Sequence, residues 1–238
     1  MNPIIIIPAR MASARLPDKP MALIGGLPMI VQVMKRAQSS GVGRVVVACD
    51  GKQIADTVME AGGEAVITSP DLPSGSDRIF SALTQIDPGK KHDIIINVQG
   101  DMPCLDPEII KHVFSVLKNE EIDIATLAAK ITEESEKSDP AVVKVAIAKN
   151  GLALYFSRAA IPHGEGALYH HIGIYAYRRA ALEKFVSLAP SPLELREKLE
   201  QLRALEDGMK IGVAVIDTVP LGVDTKEGLE KARKIYDK

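Results

Sequence analysis

The stretch IIIIPARMASARLPDKP, residues 4–20, decides the fold. It begins with four consecutive isoleucines, residues 4–7. A strand that is apolar at every position is typical of a sheet covered by helices, because both faces of the strand are buried. Three cations, Arg10, Arg15 and Lys19, follow within a loop that also holds two prolines. The sequence therefore predicts a buried strand that leads into a stiff, positively charged loop.

Short β-branched runs recur along the chain and alternate with helical patterns. The predicted strands lie at 4–7, 44–48, 64–67, 93–98, 142–148 and 210–216. The predicted helices lie at 28–40, 52–61, 76–86, 107–119, 179–188, 192–206 and 226–236. Alternation of strand and helix favours parallel pairing. We expect an α/β fold of three layers, with a predominantly parallel, doubly wound sheet and a less regular C-terminal subdomain.

Composition narrows the class of protein. Lys and Arg total 29 against 31 Asp and Glu, which gives a net charge of −2 and argues against nucleic-acid or membrane-surface binding. Cys49 and Cys104 have no metal-type spacing, and no apolar run approaches the roughly 20 residues of a membrane span. No signal peptide is recognisable, so we expect a cytoplasmic protein. Without a repeat or linker, we interpret residues 1–238 as one domain.

The charged loop lacks the glycine motifs that wrap phosphate with backbone amides. Neither G-x-G-x-x-G nor G-x-x-x-x-G-K-[ST] occurs, which argues against a dinucleotide-binding dehydrogenase and a P-loop NTPase. The loop offers side chains instead. Each guanidinium can donate two hydrogen bonds to phosphate oxygens, and an ammonium adds a compact charge. Its cations fit a triphosphate, and a solvated charged loop is the alternative.

Two aspartates follow strands at the edge where open α/β sheets bind ligands. Asp101 lies in NVQGDMP and Asp224 in GVDT. Mg²⁺ typically takes one or two carboxylates, together with phosphate oxygens and water. The alternatives are a turn or helix cap for Asp101 and an N-cap of the last helix for Asp224. The pattern predicts a magnesium site and leaves both alternatives open.

Seven segments, in the family's order and across nearly the whole chain, resemble the CMP-KDO synthetases, the 3-deoxy-manno-octulosonate (KDO) cytidylyltransferases. They are IPARMASARLPDKP (7–20), SGSDR (74–78), NVQGDMP (97–103), ALYFSRAAIP (153–162), HIGIYAY (171–177), LEQLRALEDG (199–208) and GVDT (222–225). The resemblance implies a nucleotide-diphospho-sugar transferase-like fold, a homodimer and Mg²⁺. It also implies the reaction of CTP with KDO to CMP-KDO and pyrophosphate, by in-line attack of the anomeric hydroxyl, for lipopolysaccharide biosynthesis.

The resemblance implies roles for individual residues as well. The catalytic residues would be Arg10, Lys19, Asp101 and Asp224, of which the two aspartates hold the metal. The nucleotide would contact Arg10, Arg15, Lys19, Ser74, Gly75 and Arg78. The sugar acid would contact Gln99, Arg158, His171, Tyr175, Glu200 and Gln201. Helix capping by Ser74 or Ser76, and core packing of His171 and Tyr175, are the alternatives.

Departures from the family pattern leave the sugar open. Asp18 stands where glycine is usual, and IPHGEGALYHH (161–171) is shorter than in many members. The same chemistry on 8-amino-KDO or a sialic acid is therefore an alternative. A glycosyltransferase usually carries a D-x-D pair, which QGDMP lacks. A non-catalytic nucleotide sensor is the alternative of another class, and it would need neither Asp101 nor Asp224.

Overall fold

A computed structural model describes residues 1–12 and 16–237. The chain forms two compact units, one of Met1–Lys111 with the segment from Pro220 onward, the other of His112–Val219. Arg15, a predicted nucleotide contact, lies outside the described residues. The interpretation of residues 1–238 as one domain stays a prediction. In the part of the chain that the structure covers, every helix is too short or too polar to cross a membrane.

The strands and helices are numbered along the chain. The strands are β1 (Pro3–Ala9), β2 (Leu23–Ile24), β3 (Leu27–Pro28), β4 (Arg44–Cys49), β5 (Glu64–Ile67), β6 (Ile94–Asn97), β7 (Ile124–Lys130), β8 (Lys144–Ile147), β9 (Ala153–Ser157), β10 (Tyr169–Arg178) and β11 (Ile211–Ile216). The α-helices are α1 (Met29–Ser39), α2 (Lys52–Glu60), α3 (Gly75–Ile86), α4 (Pro107–Val116), α5 (Glu134–Ser138), α6 (Arg179–Ser187), α7 (Pro192–Glu197), α8 (Leu202–Glu206) and α9 (Lys226–Tyr236). A 3-10 helix occupies Lys19–Met21.

The first unit contains a parallel sheet with the strand order β6-β1-β4-β5. All four isoleucines at 4–7 are fully buried, as their uninterrupted apolar run predicts. The loop after β1 turns through Asp18, which takes the left-handed backbone with φ of 53°. Aspartate tolerates this conformation better than most residues, which explains how the chain does without the usual glycine.

The second unit is mixed rather than parallel. Strand β11 pairs parallel with β7, whereas β10 pairs antiparallel with β7 and β8, and β8 pairs antiparallel with β9. The predicted strand at 210–216 therefore pairs parallel as expected, whereas the predicted strand at 142–148 pairs antiparallel. Only a short turn connects β8 to β9, and so short a connection permits antiparallel neighbours alone.

Several predicted elements need correction in the same unit. The predicted helix 192–206 is two helices, because Lys198 takes a left-handed φ of 56° and ends α7. The sequence ITEESEKSDP at 131–140 is strongly polar and predicts a loop, but the segment contains α5. Strands β7 and β9 were not predicted. In β7, the sequence IATLAAK is rich in alanine, which has a low strand propensity, and only tertiary packing selects the extended backbone.

A fully buried lysine anchors the second unit. The Nζ of Lys144 donates to the carbonyl oxygens of Asp139 (2.7 Å), Val142 (2.8 Å) and Arg158 (3.1 Å). Burial lowers the pKa of Lys144. Three carbonyl groups from two chain segments thus depend on one donor.

Replacement of Lys144 by Met is expected to lower the free energy of unfolding by about 3 kcal/mol, because three hydrogen bonds from a charged, buried donor are lost. Urea denaturation measures this value. Lys130→Met is the control, since Lys130 is exposed at the end of β7, and we expect a change of at most about 0.5 kcal/mol there. Equal losses in the two variants would contradict the anchoring role.

Candidate active site

The loops after β1 and β6 meet at one edge of the sheet. Arg10 directly follows β1, and Gln99, Gly100 and Asp101 follow β6, its parallel neighbour. Parallel strands present their carboxyl ends at the same edge, where such sheets bind ligands. A Cβ atom on Gly100 would lie 2.7 Å from the carbonyl oxygen of Pro8. Only glycine therefore lets the second loop approach β1 this closely.

A cavity of about 450 Å³ opens at this edge, within the first unit. Its volume falls in the range of small-molecule sites. The predicted residues that line it are Arg10, Lys19, Ser74, Gly75, Arg78, Gln99, Asp101 and Asp224. The structure thus gathers the described members of the predicted catalytic and nucleotide sets around one cavity, together with one predicted sugar contact.

Lys19 joins the two predicted metal ligands. Its Nζ donates to Oδ2 of Asp101 and to Oδ1 of Asp224, both at 2.9 Å. The side chains of Lys19 and Asp101 are only 17% and 25% exposed, so solvent screens their interaction weakly. Burial opposes the charge of Lys19, but the two carboxylates together outweigh it and raise the pKa of Lys19. The three groups form one charge cluster.

Backbone contacts hold the two aspartate segments together. The amide of Val223 donates to the carbonyl oxygen of Asp101 at 2.8 Å. The N-cap of α9 is Thr225, whose Oγ1 accepts from the amide of Gly228 at 3.1 Å. The capping alternative therefore belongs to Thr225, and the carboxylate of Asp224 is directed to Lys19 instead.

The donor set of Asp101 and Asp224 fits Mg²⁺. Carboxylate oxygens are the ligands that this hard cation prefers, and the ammonium of Lys19 shows that a positive charge is accommodated between them. Across residues 1–12 and 16–237, no three His, Cys, Asp or Glu side chains cluster as a metal site. The remaining ligands of an ion at this pair would be phosphate oxygens and water.

The N-terminus of α3 forms another wall of the cavity. The Oγ of Ser74 accepts from the amide of Asp77 at 3.1 Å, so the capping alternative is confirmed for Ser74. Arg78 is buried, and its Nη1 donates to Oγ1 of Thr68 (2.6 Å) and to the carbonyl of Ser69 (3.1 Å). A helix N-terminus favours bound anions, and Arg78 fixes the segment that leads to it.

The sequence reasoning missed Asp50. Both carboxylate oxygens of Asp50 accept from the amide of Met11 at 3.1 Å. Asp50 therefore holds the beginning of the charged loop. Asp50 follows the predicted strand 44–48 closely, and this position could have indicated a role at the site, because ligands bind at the carboxyl ends of the strands.

The other five predicted sugar contacts lie in the second unit. The rings of His171 and Tyr175 on β10 have centroids 5.5 Å apart. The carboxylate of Glu200 lies 4.0 Å from the guanidinium of Arg203. Gln201 is buried, and within the described chain its Nε2 has no hydrogen-bond partner. A buried donor of this kind is costly to leave unpaired, which makes it suited to a ligand hydroxyl.

Arg158 is tied to the backbone around it. Its guanidinium donates to the carbonyl oxygens of Glu197 (2.8 Å), Pro140 (2.9 Å) and Lys198 (3.4 Å). These bonds position the side chain. Its contact with the carboxylate of a sugar acid stays a prediction, as do the ligand contacts of the neighbouring residues.

The surroundings of His171 assign its proton. Oγ1 of Thr126 lies 3.0 Å from Nε2 of His171 and within 3.1 Å and 2.9 Å of the carbonyl oxygens of Ile172 and Ile174. The single hydroxyl proton goes to these carbonyls, so Nε2–H donates to Oγ1 and Nδ1 is the acceptor. Burial, with a smaller contribution from His170, lowers the pKa of His171 to about 3. The ring is therefore neutral, and packing of His171 is confirmed.

His171 makes the protein sensitive to acid. Its folded pKa of about 3 lies below the ordinary value of about 6.5, so the unfolded state binds more protons between these values. Its contribution to stability is complete above about pH 6.5 and is lost as the pH falls toward 3. The wild type loses unfolding free energy when the pH is lowered from about 7.5 to 5. In His171→Gln this decrease should be smaller than in the wild type by about 2 kcal/mol. Urea denaturation at both pH values tests this, and His163→Gln, at an exposed loop position, should keep the wild-type dependence.

The fold and the cation–carboxylate cluster define a nucleotidyltransferase, and the family model described as cytidylyltransferase matches residues 4–211. A relative from Parvibaculum lavamentivorans, named 3-deoxy-manno-octulosonate cytidylyltransferase, is 62% identical over 98% of this chain and 92% of its own. One of the same name from Azorhizobium caulinodans is 61% identical over 98% and 94%. The chain belongs to the 3-deoxy-manno-octulosonate cytidylyltransferase family.

Solved structures confirm the predicted fold class. The structure described as CMP:2-keto-3-deoxy-manno-octonic acid synthetase complexed with CTP has a TM-score of 0.92 and 37% identity, and covers 100% of this chain and 99% of the other. The 4-diphosphocytidyl-2C-methyl-D-erythritol synthase of Anaerococcus prevotii has a TM-score of 0.67 at 13% identity over 100% and 99%, a likeness of fold alone.

Proposed function

We propose that this enzyme transfers the cytidylyl group of CTP to the anomeric hydroxyl of KDO and releases pyrophosphate. The observation that carries the proposal is the single cavity that gathers Arg10 and Lys19 with the carboxylates of Asp101 and Asp224. The names of the relatives and the CTP complex of the related synthetase support the choice of substrates.

In the proposed reaction, the anomeric oxygen attacks the α-phosphorus in line. A bond forms between them, and the bond to the oxygen that bridges to the β-phosphate breaks, with its electron pair leaving on pyrophosphate. The proton of the hydroxyl passes to solvent water. Arg10 and Lys19 bind the triphosphate and stabilise the charge that builds up on the departing pyrophosphate. No protein nucleophile is required. Cys49 is buried, and its burial raises the pKa of the thiol, which keeps it protonated and unreactive.

We also propose that the reaction depends on Mg²⁺ held by Asp101 and Asp224. A bound Mg²⁺ polarises phosphoryl oxygens and offsets their negative charge. The amide of Val223 holds the Asp101 segment beside Asp224, so this chain presents both carboxylates together. Because Lys19 contacts both, its ammonium is placed to move to the phosphates when they are bound.

The test is pyrophosphate release by the purified protein with CTP and Mg²⁺, using KDO, 8-amino-KDO and a sialic acid in parallel. Release with KDO, lost on addition of EDTA, is the expected result. Release with another sugar acid alone would retain the chemistry and change the substrate. CTP binding without release for any sugar acid would favour the nucleotide sensor over the enzyme.

The cellular setting forms part of the proposal. A KDO cytidylyltransferase would act in the cytoplasm and supply activated sugar for lipopolysaccharide biosynthesis, as a homodimer built from a single-domain chain. Size-exclusion chromatography with light scattering measures the oligomeric state, and a monomer at working concentration would contradict the dimer.

A further inference from the structure

The C-terminal segment, residues 220–237, contacts the Asp101 loop at two points. The first is the bond from the amide of Val223 to the carbonyl of Asp101 (2.8 Å). The second is a bond of 2.6 Å from the hydroxyl of Tyr236, at the end of α9, to the carbonyl of Pro103. The carbonyl groups that flank Met102 thus both accept from a segment more than 100 residues away.

Tyr236 is itself held in place. Its hydroxyl accepts from Nε of Arg36 at 3.3 Å, and the guanidinium carbon of Arg36 lies 5.6 Å from the centre of its ring. The ring packs against Gly25, where an added Cβ would lie 2.8 Å from Cδ1 of Tyr236. The φ of Gly25 is +54°, so both space and backbone favour glycine. These contacts hold the hydroxyl of Tyr236 in position independently of its bond to Pro103.

Hydrophobic packing supports the same segment. Val223, Leu229 and Ala232 form a buried cluster with Leu16 and Met29, and Cys104 and Tyr236 pack against it. This cluster connects the charged loop, α1 and the Asp101 loop through α9. Because closely packed interiors resist displacement, this cluster holds Tyr236 and Val223 in fixed positions relative to each other.

We propose that Tyr236 is a positioning residue for Asp101. Its hydroxyl holds the carbonyl two residues beyond the carboxylate, while Val223 holds the carbonyl of Asp101 itself. The inference rests on the proposed function, in which Asp101 is a metal ligand. Residues that orient metal ligands typically affect metal affinity or activity by about 10-fold to 100-fold.

The experiment compares Tyr236→Phe with Arg233→Met. The first removes the bond to Pro103 together with the bond from Arg36, and it keeps the ring on Gly25. The second removes two other contacts of the same helix, the bond from Nε of Arg233 to the carbonyl of Leu23 at 3.0 Å and the ion pair with Glu230 at 2.6 Å. Neither contact involves the Asp101 loop. For each variant we would measure kcat, the KM for KDO, the half-saturating Mg²⁺ concentration, thermal stability and amide exchange at Val223.

In Tyr236→Phe we expect kcat to fall about 10-fold and the half-saturating Mg²⁺ concentration to rise about 10-fold. The KM for KDO should stay within about twofold, and the amide of Val223 should exchange faster because its acceptor moves. Arg233→Met should lose stability to a similar extent and keep its Mg²⁺ dependence. Equal effects of both variants on kcat and Mg²⁺, or none in Tyr236→Phe, would overturn the proposal.

The amide exchange separates this inference from the proposed function. If the wild type releases no pyrophosphate, the proposed function fails, and exchange at Val223 still decides whether Tyr236 orders the Asp101 loop. Faster exchange in Tyr236→Phe alone supports the positioning role. Unchanged exchange overturns it.

Discussion

Asp101→Asn is expected to lower kcat for pyrophosphate release about 1,000-fold at saturating Mg²⁺, because loss of a metal-ligating carboxylate removes about 4 kcal/mol of transition-state stabilisation. Asparagine has the same shape, so the close approach of Gly100 to Pro8 is retained. It lacks the charge that Asp101 offers to a cation and to Lys19. Steady-state measurement of pyrophosphate over a range of Mg²⁺ concentrations gives kcat, and circular dichroism shows whether the variant folds.

Asp106→Asn is the matched control. It also replaces an aspartate by asparagine in the connection between β6 and α4, but at a position that does not line the cavity. Asp106 accepts from the amide of Glu108 at 3.0 Å at the beginning of α4, and asparagine caps helices about as well. Activity within about twofold of wild type is expected for a surface change of this kind. Turnover of Asp101→Asn near the wild-type value would remove Asp101 from the metal site.

Lys19→Met is expected to lower kcat/KM for CTP about 100-fold, because a positive group aimed at developing charge contributes about 10²-fold to 10³-fold. Lys19 is mostly buried and contacts both carboxylates at 2.9 Å. Its removal also leaves two like charges side by side. Added Mg²⁺ should therefore raise the melting temperature of Lys19→Met more than that of the wild type. Initial rates over a range of CTP and thermal denaturation with and without Mg²⁺ measure the two effects.

Lys52→Met tests whether loss of any lysine has these consequences. Lys52 is 84% exposed and lies 3.9 Å from Asp56 on α2, so it belongs to a solvated surface pair. Such pairs contribute about 0 to 1 kcal/mol to stability. We expect Lys52→Met to keep the wild-type kcat/KM for CTP and to show the same rise in melting temperature with Mg²⁺ as the wild type. An unchanged kcat/KM in Lys19→Met would exclude Lys19 from the triphosphate site.

Much of the first unit was predictable because its signals are local. The isoleucine run at 4–7 predicts a strand buried on both faces, and α9 occupies the residues 226–236 that its periodicity indicates. The second unit was less predictable. Its alanine-rich β7 and the break at Lys198 depend on contacts that no local pattern contains.

The sequence by itself determined the four strands of the parallel sheet and the α-helices of the first unit, the charged loop after β1 and the residue types of the site. The reason is that periodicity, caps and loop chemistry act over a few neighbouring residues. Only the tertiary structure decided which of these residues meet. Lys19 reaches Asp101 across 82 positions and Asp224 across 205, and Tyr236 reaches Pro103 across 133. Such contacts arise when the buried sheet brings distant loops to one edge, and the chain order does not specify their distances.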